Sequence, residues 1–273
     1  MNLRVEFVPV TDAGQLSSLR EQYLDTLTHG QEALLEALVA EGTAFLVRSG
    51  GKPCGYFILH ADSTLIEFHL LESHWVFGEA VFKQILAKTP VRRALVKSFD
   101  ALLLSSCIAH QRRVRCLGLL VRDYIPRALP TLSGLRYSIR QATLRDLPAI
   151  TQVDQQVFAN AERLLGVVET GQAWLFERAG QLLGFGILRP VVVGRPEVDV
   201  GIAVDRPYRA RGFAVYMLRD LVERCVAQGL VPVAGCAEEN RASRHSGERI
   251  GLVSRHRLLE LSFDDGQAPE SPV

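Results

Sequence analysis

Paired cysteine is the first thing this chain does not offer. Its five cysteines, Cys54, Cys107, Cys116, Cys225 and Cys236, are odd in number and form no Cys-x-x-Cys pair. That spacing argues against a disulfide framework and against a structural zinc site. Net charge is nearly absent as well: 31 Lys and Arg stand against 30 Asp and Glu, leaving +1. No general field exists to attract nucleic acid or an anionic membrane. No apolar run reaches the roughly 20 residues that span a bilayer. His69, His74 and His110 have no metal-ligand spacing. Met1 to Glu6 reads as a first strand rather than a signal peptide, so a cytoplasmic, reducing compartment is expected.

What the chain has is core material and a repeat. Its 273 residues are 48% hydrophobic, enough for one large domain or two ordinary ones. Ala44 to Tyr56 matches Ala173 to Phe185 in kind at a constant offset of 129. Each copy is an apolar strand, a glycine turn, and a second apolar strand entered through Gly and an aromatic, which is a β-hairpin. Helices are expected to start at Asp12 and Leu144, with Thr11 and Thr143 as cap or turn residues. Two similar α/β domains follow, with a junction near Ser133-Gly134: residues 1–134, then 135–265, then a tail over 266–273. The last strand of the second half is expected to run from Leu252 to Phe263.

The strongest local signal is Val204 to Ala214. An alternating run, Val198 to Val204, leads into Arg209-Ala210-Arg211-Gly212-Phe213-Ala214, and an amphipathic helix begins there. A glycine turn opening a helix points backbone N–H groups and the helix dipole at an anion. A phosphorylated ligand is expected. The P-loop, dinucleotide and kinase patterns are all missing. The first half has Leu70 to Gly78 at the same junction, without an arginine pair or a tight glycine turn.

The second half resembles the GCN5-related N-acetyltransferase superfamily. Arg209-Ala210-Arg211-Gly212-Phe213-Ala214 fits the family's [Gln/Arg]-x-x-Gly-x-[Gly/Ala] loop. The lead-in Val204 to Arg209 fits with its proline one place late. Asn240-Arg241-Ala242-Ser243 fits Asn-x-x-[Ala/Ser], and Gly251-Leu252 fits the closing Gly-Phe with leucine in place of phenylalanine. The specific likeness covers residues 137 to 263, and residues 1 to 132 share fold order only. The resemblance implies two tandem domains, each a mixed, mostly antiparallel sheet flanked by helices. The first would be degenerate, either structural or covering the substrate.

The same resemblance implies an acetyl-CoA-dependent N-acyltransferase acting directly on a primary amine of a small molecule, through a tetrahedral intermediate. Arg209, Ala210, Arg211, Gly212, Phe213 and Ala214 would hold the pyrophosphate. Ile202, Ala203 and Val204 would pair with the pantetheine arm, with the Val204 N–H on the thioester carbonyl. Asn240 would bond the arm, and Ser243 would cap the helix or approach the phosphates. Glu197 and Asp199 share one strand face and are candidates for base or substrate anchor. The family's acidic tyrosine would fall at position 247, where this chain has Gly247. Cys236 is a candidate near the thioester. Asn160 to Arg163 and Ser254 to Arg257 are candidate acceptor linings. A protein or peptide acceptor is an alternative, as is a non-catalytic acyl-CoA-binding or scaffold protein, with a dinucleotide enzyme a distant further one. The chain is expected as a monomer or homodimer, with no metal, nucleic acid or membrane partner.

Overall fold

The computed structural model describes residues 3–12, 14–130, 136–153 and 161–264. The elements, in chain order, are β1 (Glu6–Pro9), α1 (Gly14–Thr26), α2 (Ala33–Glu41), β2 (Thr43–Ser49), β3 (Lys52–Leu59), β4 (Thr64–Leu70), α3 (Gly78–Lys88), β5 (Arg93–Lys97), α4 (Ala101–His110) and β6 (Arg113–Val121). They continue as β7 (Asp123–Tyr124), β8 (Ser138–Gln141), α5 (Leu147–Val153), α6 (Ala161–Glu169), β9 (Ala173–Arg178), β10 (Gln181–Pro190), β11 (Glu197–Val204), α7 (Phe213–Ala227), β12 (Val231–Ala237), α8 (Arg241–Ile250), β13 (Leu252–Val253) and β14 (His256–Ser262).

The chain forms two compact units, Met1–Leu119 with His256–Val273, and Leu120–Arg255. These are not the linear halves 1–134 and 135–265. The expected last strand, Leu252 to Phe263, is the cause. It breaks after Val253: β13 pairs with β7 inside the second unit, while β14 pairs antiparallel with β5 inside the first. Arg255 sits at the break, its guanidinium on both Asp123 carboxylate oxygens at 3.0 Å. The expected junction at Ser133-Gly134 and the tail over 266–273 lie outside the described residues.

The two units repeat one topology. In the first, β1, β2, β3 and β4 pair antiparallel in series and β4 pairs parallel with β5. In the second, β8, β9, β10 and β11 do the same and β11 pairs parallel with β12. The matching hairpins close through two-residue turns. Gly50 and Gly51 have φ of 56° and 77°, and Ala179 and Gly180 have φ of 50° and 76°. Two successive left-handed residues match the strand twist of a tight hairpin. At the helix starts, Thr143 forms a reciprocal capping box with Asp146. In the first unit the turn residue is Asp12, not Thr11: its carboxylate accepts the Gly14 N–H at 2.9 Å.

Cores lie on both faces of the second unit's sheet. Val200, Phe213, Met217 and Leu221 pack on the α7 side. Phe185, Ile187 and Ala203 pack against Ile150, Val153, Val167 and Val168 on the α5–α6 side. Two glycines of β10 let α7 lie close. A Cβ at Gly184 would strike the Ala203 carbonyl and come within 2.9 Å of Met217 Cε, and one at Gly186 would strike Leu221. Among the described residues no helix is long and apolar enough to cross a membrane. Overpacking a fitted interface costs about 1–3 kcal/mol, so Gly184→Val is expected to lower the thermal midpoint of unfolding by several degrees, as calorimetry would measure.

Candidate functional site

The second unit's site begins where two parallel strands part. β11 and β12 are in register at Glu197↔Val231, Val198↔Pro232 and Asp199↔Val233. Among the described residues that pairing goes no further, although β11 continues to Val204 and β12 to Ala237. On its other edge β11 stays paired with β10 from Val198 through Val204. The side on which each amide points follows from the bonds at the ends. Asp205 N–H donates to Leu183 on β10, and Pro196 C=O accepts from Val231 on β12. Alternation along a strand therefore turns the N–H groups of Ile202 and Val204 toward the wedge.

The end of β11 is fixed by the loop that follows. Arg209 Nε donates to the Val204 carbonyl at 2.8 Å, and an Arg209 terminal nitrogen approaches the Val153 carbonyl at 3.4 Å. Arg209 thus holds the strand end, a task the sequence did not suggest. Asp205 accepts the Arg206 N–H at 2.7 Å, and the Tyr208 hydroxyl donates to Gln181 at 2.6 Å. Ala210 and Gly212 both take left-handed φ, 58° and 85°. Gly212 is the N-cap of the 15-residue α7, and no side-chain bond caps that end among the described residues. The Val215 N–H donates to the Gly212 carbonyl at 3.2 Å, so the Phe213 and Ala214 N–H groups face outward under the positive end of the helix dipole. The Phe213 ring is buried, so only its backbone can serve a ligand. The exposed Arg211 lies 5.9 Å from the centre of the Tyr208 ring.

Around this wedge the other expected residues fall into place unevenly. Cys236 is half-buried on the part of β12 beyond its last residue paired with β11. Asn240, rather than Ser243, caps α8: its side-chain oxygen accepts the Ser243 N–H at 3.0 Å. Ser243 and His245 are exposed, while Gly247 is buried against Leu252. Asp199 is at the apex of the wedge, and Arg189, opposite it on β10, meets its carboxylate at 3.0 Å. Glu197 is half-buried two residues earlier. Of the expected acceptor lining, His256 and Arg257 belong to the first unit, because β14 does. There the Arg257 N–H donates to Ser98 Oγ at 3.0 Å. Asn160 lies outside the described residues; Glu162 and Arg163 are exposed on α6.

The first unit has the same wedge in a different state. Among the described residues β4 and β5 pair only at Thr64↔Arg93 and Leu65↔Ala94. The Leu70 carbonyl is held by the Trp75 indole N–H at 2.8 Å. That contact spans five residues, as Arg209 to Val204 does, with an indole in place of a cation. The following turn, Glu72–Phe77, brings an acidic residue, and α3 adds Glu79 in its first turn. Both oppose an anion.

Beyond the last β4–β5 rung, Lys97 is fully buried. It donates to the Tyr23 hydroxyl at 2.6 Å and lies 3.6 Å from Asp100. Tyr23 donates to Asp100 at 2.7 Å. Buried Glu67 accepts from Tyr56 at 2.8 Å, Gln31 at 3.0 Å and Arg20 at 3.1 Å. Burial lowers the Lys97 pKa and raises that of Asp100. Sequence reading missed this network, although Glu67 and His69 stand out in an otherwise apolar strand.

Comparison with known proteins follows this division. Residues 13–124 match the acetyltransferase (GNAT) domain family, and residues 138–252 match the acetyltransferase (GNAT) family. Proteins of Pseudomonas aeruginosa and Pseudomonas paraeruginosa, each an L-methionine sulfoximine/L-methionine sulfone acetyltransferase, are 32% identical over 154 residues. The match covers 49% of this chain and 84% of theirs. A solved GNAT-family acetyltransferase of Colwellia psychrerythraea is similar in fold, with a TM-score of 0.83 at 17% identity, covering 95% of this chain and 100% of its own. A tandem GNAT protein of the clavulanic acid biosynthesis pathway gives 0.57 at 15% identity, over 97% and 100% of the two chains.

The buried network makes one prediction about stability. His69 is 3% exposed, and its Nε2 has no hydrogen-bond partner among the described residues. Burial holds its pKa down at about 4, with Glu67 opposing. Between its ordinary pKa of about 6.5 and that value, the unfolded chain takes up a proton that the folded chain refuses. This contribution is complete above pH 6.5 and is lost as the pH falls toward 4, by about 3 kcal/mol. Denaturant titrations of the protein and of His69→Gln across that range are expected to show a flatter acid dependence in the variant.

Proposed function

This chain belongs to the GNAT acetyltransferases and carries two such domains in tandem, and on that premise we propose that its second domain transfers an acetyl group from acetyl-CoA to the amine of a small molecule. The observation that carries the reading is the pairing of an open β11–β12 wedge with the left-handed turn at Gly212. These features fit the two ends of the cosubstrate. The outward N–H groups at the start of α7, with Arg206 and Arg211 nearby, suit a pyrophosphate. The Ile202 and Val204 N–H groups suit an amide-bearing arm laid along a strand edge.

Acetyl-CoA supplies an acyl thioester, and the residues of this chain bind it. The Val204 and Ile202 N–H groups hold the arm, with the thioester carbonyl beyond them toward the apex rather than on Val204, and the neutral amine adds to its carbon there. The C–S bond then breaks, and the proton shed by nitrogen ends on the departing thiol. With glycine at position 247, no α8 tyrosine supplies that proton; a thiolate is a tolerable leaving group without one. Asp199 at the wedge apex is better placed than Glu197 to meet the amine. The substrate class in the relatives' names supports a small acceptor. The first domain is assigned no acetyl-CoA of its own, because Lys97, Tyr23 and Asp100 fill the corresponding space and Glu72 meets the phosphate end.

Gly212→Val places a branched side chain where φ is 85°, a region that β-branched residues avoid. It is expected to weaken acetyl-CoA binding at least about tenfold, the equivalent of 1.4 kcal/mol. Calorimetric titration returning unchanged affinity would contradict the placement. Direct transfer further requires that Cys236→Ala retain turnover within a few fold, as thiol release would report; abolished turnover would point to an acyl-cysteine.

A further inference from the structure

Arg189 belongs to no motif, yet it occupies a telling position. It stands opposite Asp199 in the β10–β11 register, and one of its terminal nitrogens lies 3.0 Å from Asp199 Oδ2. The side chains are 32% and 16% exposed, so the pair is reachable from solvent without being fully hydrated. Its face is settled by its neighbours. Ile187↔Gly201 and Phe185↔Ala203 are the next same-face pairs along the two strands. Ile187, Phe185 and Ala203 pack under α5 and α6. Arg189 and Asp199 therefore continue an apolar floor at its open end.

Their height in the sheet matters as much. The last β11–β12 rung is Asp199↔Val233. The pair thus marks the apex of the wedge, three residues and ~10 Å along the strand from Ile202. An arm entering from the Gly212 turn and following the Val204 and Ile202 amides runs toward this apex. A cation and an anion wait there in contact, one on each strand.

Resting on the acetyltransfer reading above, we propose that Arg189 and Asp199 together read an α-amino acid acceptor, Arg189 taking its carboxylate and Asp199 its amino group. The match is one of spacing and sign. The amino and carboxylate groups of an α-amino acid hang from one carbon, and the two protein groups already touch. A guanidinium binds carboxylate through paired, charge-assisted bonds. Each half of a zwitterion then meets an opposite charge. An amine without the carboxylate leaves Arg189 partly desolvated and unsatisfied by ligand, and this is how a polar site rejects an analogue. Glu197, two residues earlier on the same face, adds negative charge on the amino side.

The test is a panel of L-α-amino acids, L-methionine sulfone among them, each paired with its own carboxamide. Acetylation is followed by thiol release from acetyl-CoA. For at least one pair, the wild-type protein is expected to favour the acid over the amide in kcat/KM by roughly 100-fold, the worth of a charge-assisted contact. In Arg189→Gln that ratio is expected to collapse toward one, with Arg189→Lys between. A purely structural role for the ion pair would lower both rates and leave the ratio standing. Equal use of acids and amides by the wild type, or an unchanged ratio in Arg189→Gln, overturns the assignment while the acetyltransfer reading survives. Failure of every amine, carboxylate-free ones included, to give thiol release overturns that reading and this assignment with it.

Discussion

The site in the second unit depends on the parting of two parallel strands. Paired backbone offers nothing to a ligand, because its donors and acceptors are spent on the neighbouring strand. When β12 leaves β11 after Asp199 and Val233, β11 keeps one edge paired with β10 and exposes the other. The cost of those unpaired groups is tolerable only where water or a ligand can reach them. The wedge is held open from its far end. Arg209 takes up the Val204 carbonyl, the left-handed residues Ala210 and Gly212 turn the chain, and α7 starts beside it, packed on Gly184 and Gly186.

The two units show how one topology supports opposite outcomes. Strand order and hairpin turns repeat, and a contact five residues long closes each central strand. Side chains make the difference. In the second unit the α5–α6 face of β11 bears Gly201 and Ala203 and is apolar apart from the Arg189–Asp199 end. In the first, the corresponding face of β4 bears Glu67 and His69, and Lys97 and Asp100 complete a buried network with Tyr23 and Tyr56. Buried charges are stable only when paired and hydrogen-bonded. Here they meet that condition through one another, Lys97 with Tyr23 and Asp100, and Glu67 with Arg20, Gln31 and Tyr56.

Much of this was legible in the sequence. The hairpins showed as paired apolar strands around a glycine turn, and the offset of 129 survives in the φ values of Gly50-Gly51 and Ala179-Gly180. The strand, turn and helix around Gly212 were readable because a positive φ there calls for glycine. What escaped were facts of pairing between distant segments. Leu252 to Phe263 has the pattern of one strand; only tertiary contacts divide it, sending β14 to the first unit and His256 and Arg257 with it. The Asn240 cap was within reach, since asparagine commonly precedes a helix. Arg189 was not, because its meaning comes from a cross-strand neighbour ten residues away, and the Glu67 network is spread from Arg20 to Asp100.

Amide hydrogen exchange with and without coenzyme A tests the wedge most directly. The account predicts that added coenzyme A slows exchange at the Ile202, Val204, Phe213 and Ala214 amides and leaves the stretch from Ile66 to Gly78 unchanged. Protection in the first unit's stretch, or none around β11 and α7, would contradict it.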